Sequence, residues 1–171
     1  KIFYNFTKIT DDKIESLINI TLKGICEIYD ADRCNIFCFS KDRTKMRRTY
    51  SWQREGIGQD FYNLEYGEKK SFPWGTKKLL KLENINIRSL SEMPREAVRE
   101  REIFKNLGIK SIVSVPIACN GNLLGFIAFD SLRYERTWSK EIIAVLTILA
   151  DIFGSAFKRK NQIEELEKLD K

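Results

Sequence analysis

Two strongly apolar runs, 111–118 and 123–130, stand on either side of Cys119-Asn120-Gly121-Asn122. An Asn-Gly pair between such runs is a strong hairpin signal, because a tight two-residue turn needs positive φ at positions where Asn and Gly tolerate it best. The centre of the chain is therefore committed to antiparallel sheet, and the remaining segments must cover it.

From Thr10 the pattern turns helical. Thr10 is placed to cap, Asp11 and Asp12 oppose the helix dipole, and Ile14, Leu17, Ile18, Thr21, Leu22, Ile25, Ile28 and Tyr29 recur at helical spacing. Asp30-Ala31-Asp32 ends this helix. Residues 33–40 then alternate, with Cys34, Ile36 and Cys38 on one face and Phe37 and Phe39 on the other. Both faces are apolar, so both are expected to be covered. The polar connection Lys41-Asp42-Arg43-Thr44 leads into a second strand over 45–53, giving another hairpin.

Residues 54–75 differ in character. Gly56, Gly58, Gly67 and Pro73 interrupt them, while Phe61, Tyr62, Tyr66, Phe72 and Trp74 supply aromatics. A long loop of this kind is usually functional or disordered, and its aromatic content argues against disorder. A helical turn over 76–82, a strand near 84–88 and a helix over 94–107 follow, the last bounded by Pro94 and Gly108.

The final helix starts at Ser139, a good cap with Glu141 in the first turn, and nothing breaks it before the last residue. Through Phe157 it is apolar nearly all round; beyond Lys158 only Ile163, Leu166 and Leu169 remain. As heptads, Ile142, Leu149, Ala156 and Ile163 fall at one position and Val145, Ile152, Arg159 and Leu166 at the other. That seam is expected to face a partner chain in a homodimer. Ile143, Leu146, Ala150, Phe153 and Phe157 are left to pack on the sheet. The expected organisation is one domain over 1–158, with 159–171 beginning a coiled-coil linker. Both ends read as cuts in a longer chain.

Composition removes several chemistries. The chain has 171 residues and no histidine, so the commonest general base, the usual zinc and haem ligand and any Ser-His or Cys-His pair are missing. Cys26, Cys34, Cys38 and Cys119 form no C-x-x-C pair and read as reduced, buried thiols of a cytoplasmic protein. The net charge of +6 is a modest excess of 30 basic over 24 acidic residues, concentrated at Lys41, Arg43, Lys45, Arg47 and Arg48. A solvated hairpin tip explains that cluster better than a nucleic-acid patch. No apolar run approaches the roughly 20 residues of a membrane-spanning helix, so no membrane contact by this segment is expected.

The residues themselves are more specific. Phe72-Pro73-Trp74, Leu90-Ser91-Glu92-Met93-Pro94 with Ala97 and Glu100-Arg101-Glu102, Gly108-Ile109-Lys110-Ser111, Val115-Pro116, Gly121, Gly125-Phe126, Phe129-Asp130 and Arg136-Thr137-Trp138-Ser139 resemble GAF domains attached to sensor histidine kinases and diguanylate cyclases. The resemblance covers about residues 10–160. It implies an α+β fold: a central antiparallel sheet with the terminal helices on one face and a loop- and helix-covered pocket on the other. It also implies a sensory, small-molecule-binding and non-catalytic role, with the signal leaving through the C-terminal helix.

The resemblance leaves the ligand open. Bilin-binding relatives set a thioether-forming cysteine beside a histidine, and haem-binding ones use a proximal histidine; neither arrangement is available here. The cysteines also sit outside the aromatic loop, where an enzymatic sulfoxide reductase of this family would need them. Candidate pocket walls are Trp52, Phe61, Phe72, Trp74 and Phe104, with Arg88 and Ser114 as polar contacts. Arg95, Arg99 and Arg101 alternate with Glu96, Glu100 and Glu102 and read as a salt-bridged solvent surface. The competing reading is a ligand-free dimerisation scaffold whose pocket is filled by its own aromatics.

Overall fold

The computed structural model describes residues 11–57, 67–68 and 72–171. Its elements are α1 (Asp11–Ile28), β1 (Arg33–Phe39), β2 (Lys45–Gln53), β3 (Gly67–Glu68), α2 (Pro73–Leu80), β4 (Ile85–Ile87), α3 (Val98–Asn106), β5 (Ser111–Cys119), β6 (Asn122–Ser131) and α4 (Lys140–Leu169). Short 3-10 turns at Leu90–Glu92 and Arg95–Ala97 precede α3. The strands form one antiparallel sheet in the order β3-β2-β1-β6-β5-β4. The expected cap Thr10 lies outside the described residues.

The central hairpin turns where expected. Asn120 has φ 51° and Gly121 φ 76°, both in the left-handed region that an Asn-Gly turn supplies. Two expected boundaries move: α2 begins at Pro73 rather than 76, and the 94–107 helix opens as a 3-10 turn before settling into α3.

The face under the terminal helices holds one continuous core. Ile18, Leu22 and Cys26 from α1 meet Cys34 and Ile36 of β1, Val113, Val115 and Ile117 of β5, and Ile142, Leu146, Ala150 and Phe153 of α4. Ser139 caps α4 by accepting the Ile142 amide at 3.3 Å. Gly154 lets α4 approach the Ala118 carbonyl of β5 more closely than any β-carbon would allow. Just past the midpoint of α4, Phe157 stacks on Tyr50 of β2 with ring centroids 6.4 Å apart.

One seam assignment changes. Ile142, placed with the partner-facing residues, is 1% exposed in the domain's own core, and Leu149 packs partly against that core. Helix and sheet surfaces meet along a stripe broader than a coiled-coil seam, so the domain takes residues from both registers. Ile148, Ile163, Leu166 and Leu169 are the large apolar side chains that α4 leaves exposed.

A charged clasp fixes the α1–β1 corner. Buried Asp32 accepts the Leu132 and Arg133 amides at 2.7 and 3.0 Å, Arg133 Nε at 2.6 Å and Arg54 Nε at 3.3 Å. Asp30 takes Arg54 and Arg133, each at 2.7 Å, and the Tyr134 hydroxyl; the bond from Tyr134, followed by that from Arg133, holds its carboxyl below the usual range. The junction between the first helix and the sheet is thereby tied to the end of β6.

Candidate functional site

The opposite face of the sheet is covered by α2, α3 and the 3-10 turns. Phe37, Leu79, Ile85, Ile87, Met93, Phe104, Ile112 and Ala128 form its core, with Phe72, Trp74 and Phe126 packed against it. Phe72 and Phe104 tilt against each other at 6.5 Å, and Lys78 Nζ lies 5.8 Å from the Trp74 ring centroid. An open cleft of about 450 Å³ runs along α2, lined by Pro73, Trp74, Lys77, Lys78, Lys81, Glu83, Pro94 and Glu96. Within it Lys78 is already held by Glu83 at 2.9 Å.

Glu100 organises this cover. Its Oε1 accepts the backbone amides of Trp74 and Gly75 at the first turn of α2, and the side chain is buried. Arg101 donates to the Met93 and Pro94 carbonyls, both at 2.8 Å. The expected salt-bridged surface is therefore corrected at two positions. Glu100 and Arg101 serve backbone groups inside the cover, because the helix ends and turns around them leave amides and carbonyls that need partners.

The structure brings Phe72, Trp74, Phe104 and Ser114 to this face. Trp52 is corrected: like Tyr50, Ile25 and Tyr29, it packs against the core of the terminal-helix face. The cause is a bulge. Ile36 pairs with Tyr50 but Phe37 pairs with Arg48, so β2 carries an extra residue at Thr49. One added residue reverses which side chains face the core. As a result Met46 and Arg48 share the face of Phe39 and Phe37, whereas Tyr50 and Trp52 share that of Ile36 and Cys34.

Arg88 is corrected as well. It is half-exposed and held by Glu92, outside the cover. Phe61 lies outside the described residues. Among the cysteines, Cys26 and Cys34 are buried as expected, but Cys38 and Cys119 are only partly so. Burial and the adjoining Cys26 thiol push the Cys34 thiol well above its ordinary value.

Beneath the cover lies a polar floor of which the sequence reading selected only Ser114. Arg33 and Asn35 of β1, Ser114 of β5 and Asp130 of β6 are all at most 4% exposed. Arg33 donates to Asp130 Oδ2 through Nε at 3.2 Å and Nη2 at 3.0 Å. Burial raises the Asp130 carboxyl to about 6, and the attraction of Arg33 offsets only part of that. The available signal was the alternation itself. Arg33, Asn35, Phe37 and Phe39 share one face, so the face called apolar from its phenylalanines begins with a cation and an amide.

Among the described residues, no three His, Cys, Asp or Glu side chains are grouped to hold a metal, and no helix is long and apolar enough to cross a membrane. The chain is similar to the methanogenesis regulatory histidine kinase FilI of Methanothrix harundinacea (strain 6Ac), with 27% identity over 95% of this chain and 18% of that protein. It thus spans less than a fifth of that relative's length. Its fold matches the phycocyanobilin-bound GAF domain of a cyanobacterial phytochrome, with a TM-score of 0.71, 19% identity, and coverage of 85% of this chain and 84% of that one. A domain of a two-component sensor histidine kinase protein from Sinorhizobium meliloti 1021 matches at a TM-score of 0.68 and 18% identity, covering 90% of this chain and 97% of that one. The GAF domain family model matches residues 13–157, the whole of the sheet with both its covers, and the chain belongs to the GAF domain family.

Proposed function

We propose that this GAF domain is a non-catalytic sensory module that binds a small molecule between the sheet and its α2–α3 cover, and signals through α4. The observation that carries this reading is the two-sided use of β1. Arg33 and Asn35 form the buried polar floor on one face, while Cys34 and Ile36 pack against the terminal helices on the other. A shift of the floor on binding moves the surface on which α1 and α4 rest. Lys41, at the tip of the β1–β2 hairpin, reaches Glu165 of α4 at 2.6 Å and offers a second contact between sheet and outgoing helix.

The same reading includes a homodimer. Leu17, Ile20 and Ile28 of α1 and Ile148, Ile163 and Leu166 of α4 are exposed apolar side chains on the terminal helices, and from Arg159 onward every residue of α4 is exposed. Parallel association of these helices would cover them. By likeness to the FilI kinase, the output in the full-length protein is a histidine kinase, with a diguanylate cyclase as the alternative. Without histidine, a covalently held bilin of the phytochrome kind is disfavoured.

The scaffold reading keeps one observation in its favour: Phe104 belongs to the buried cluster of this face, and Phe72 and Trp74 pack against it. Native mass spectrometry of the purified chain separates the two. A dimer carrying extra mass supports sensing; a dimer that takes up no small molecule from cell extract favours the scaffold, and a monomer overturns association through the terminal helices.

A further inference from the structure

This inference rests on the sensory reading and concerns the chemistry of its ligand. Arg33 stands opposite Asp130 and Asn35 opposite Ala128, all on the ligand face. Asn35 and Asp130 are thus diagonal neighbours on adjacent strands, roughly 7–8 Å apart at their α-carbons and less at their side chains. Both are buried, at 2% and 0% exposure.

Their hydrogen bonding is incomplete in a complementary way. The Nε and Nη2 groups of Arg33 both donate to the same oxygen of Asp130, Oδ2. Asp130 Oδ1, an acceptor, and Asn35 Nδ2, a donor, have no hydrogen-bond partner among the described residues. Buried polar atoms in native folds nearly always have partners, so a neighbouring acceptor and donor left over on the ligand face mark where one is supplied from outside.

Charge and shape narrow the class. Arg33 and Asp130 already neutralise each other, and Ser114 and Ala128 beside them are uncharged. A charged ligand would therefore bring an uncompensated charge into a buried site. Two positions along the same strand pair, Phe37 and Phe126 stack at 4.8 Å and present an apolar wall suited to a flat ring.

We propose that this face binds a neutral small molecule through a carboxamide or lactam edge, whose carbonyl accepts from Asn35 Nδ2 and whose N–H donates to Asp130 Oδ1.

The test is an NMR titration of the isotope-labelled chain with nicotinamide and with δ-valerolactam. Nicotinate, which is anionic, and N,N-dimethylnicotinamide, which has no amide N–H, serve as controls. Saturable shifts of the Asn35 side-chain amide and the Asp130 carboxyl are expected with at least one of the two amides. The controls and the Asn35→Leu or Asn35→Ser variants should bind about tenfold more weakly or worse. Two variants are used so that a folding defect in one leaves the other informative.

Equal binding of nicotinate, or failure of both amides at millimolar concentration to perturb these two residues, overturns the proposal. So does a soaked crystal with only water on Asn35 Nδ2 and Asp130 Oδ1. A natural ligand that binds the Asn35 variants unchanged overturns this inference and leaves the sensory reading standing; a chain that takes up no small molecule at all overturns both.

Discussion

Glu100 closes the first turn of α2 from across the fold, accepting the Trp74 amide at 2.7 Å although 26 residues separate them. Phe72, at the cap position, provides no side-chain hydrogen bond, and Pro73 follows it. The carboxylate of α3 therefore supplies what the sequence next to α2 lacks.

Removing that carboxylate should loosen the cover before it unfolds the domain. Glu100→Ala is expected to cost about 2 kcal/mol, since a hydrogen bond to a charged group is worth roughly 1.5–3 kcal/mol. Glu100→Gln, which keeps an acceptor, should cost less. Urea unfolding measures the loss, and hydrogen exchange of the Trp74 and Gly75 amides shows whether it is local.

Asp130 should set a pH dependence of unusual sign. Its folded carboxyl titrates near 6, above the ordinary 3.8, because burial outweighs Arg33 and neighbouring Asp32 adds to the shift. Between those values the folded state binds the extra proton, so this residue's contribution to stability is greatest at low pH and is lost as pH rises through 6. The difference corresponds to at most about 3 kcal/mol. Urea midpoints from pH 4 to 7 should show this component in the parent chain, superposed on the other carboxylates, and Asp130→Asn should remove it. An identical pH profile in the variant would refute the assignment.

Two glycines should respond oppositely to alanine. A β-carbon at Gly125 would collide with the Phe37 carbonyl across the β1–β6 pair, and backbone there cannot rotate away as a side chain can. Gly125→Ala should cost about 2 kcal/mol or more. Nothing lies within 4 Å of a β-carbon at Gly24 in α1, so Gly24→Ala should gain about 0.5–1 kcal/mol from helix propensity. Thermal unfolding of the two variants checks both signs.

Association through the terminal helices predicts that Ile148→Glu, alone or with Leu166→Glu, weakens the dimer. These side chains are 60% and 63% exposed in the single chain, so the folded monomer should lose little stability. Ending the chain at Lys158 should also weaken association. An unchanged dimer constant in sedimentation would exclude this interface.

Thiol labelling of the folded protein should divide the cysteines. Cys26 and Cys34 are fully buried and should react only as the domain opens, whereas Cys38 and Cys119 are partly accessible. Cys38 should still react slowly for its accessibility, because burial raises its thiol despite Lys160 and Arg47 nearby. Rapid labelling of Cys34 would contradict the packing of α1 on β1.

The sequence by itself determined the elements whose signals are local: the Asn120-Gly121 turn, the Ser139 cap, the amphipathic face of α1 and the motifs that resemble GAF domains. Each depends on residues a few positions apart, where periodicity and turn chemistry act. What only the tertiary structure decided involves partners far apart in the chain. The bulge at Thr49 turned Trp52 away from the ligand face, Glu100 found its amides on another helix, and Ile142 joined the domain core rather than the outer seam. The pairing of Arg33 with Asp130, beside Asn35, spans 97 residues. A strand pattern shows which side chains share a face, but register and the opposing layer decide what that face meets; those are set by packing, which the order of residues along one strand does not contain.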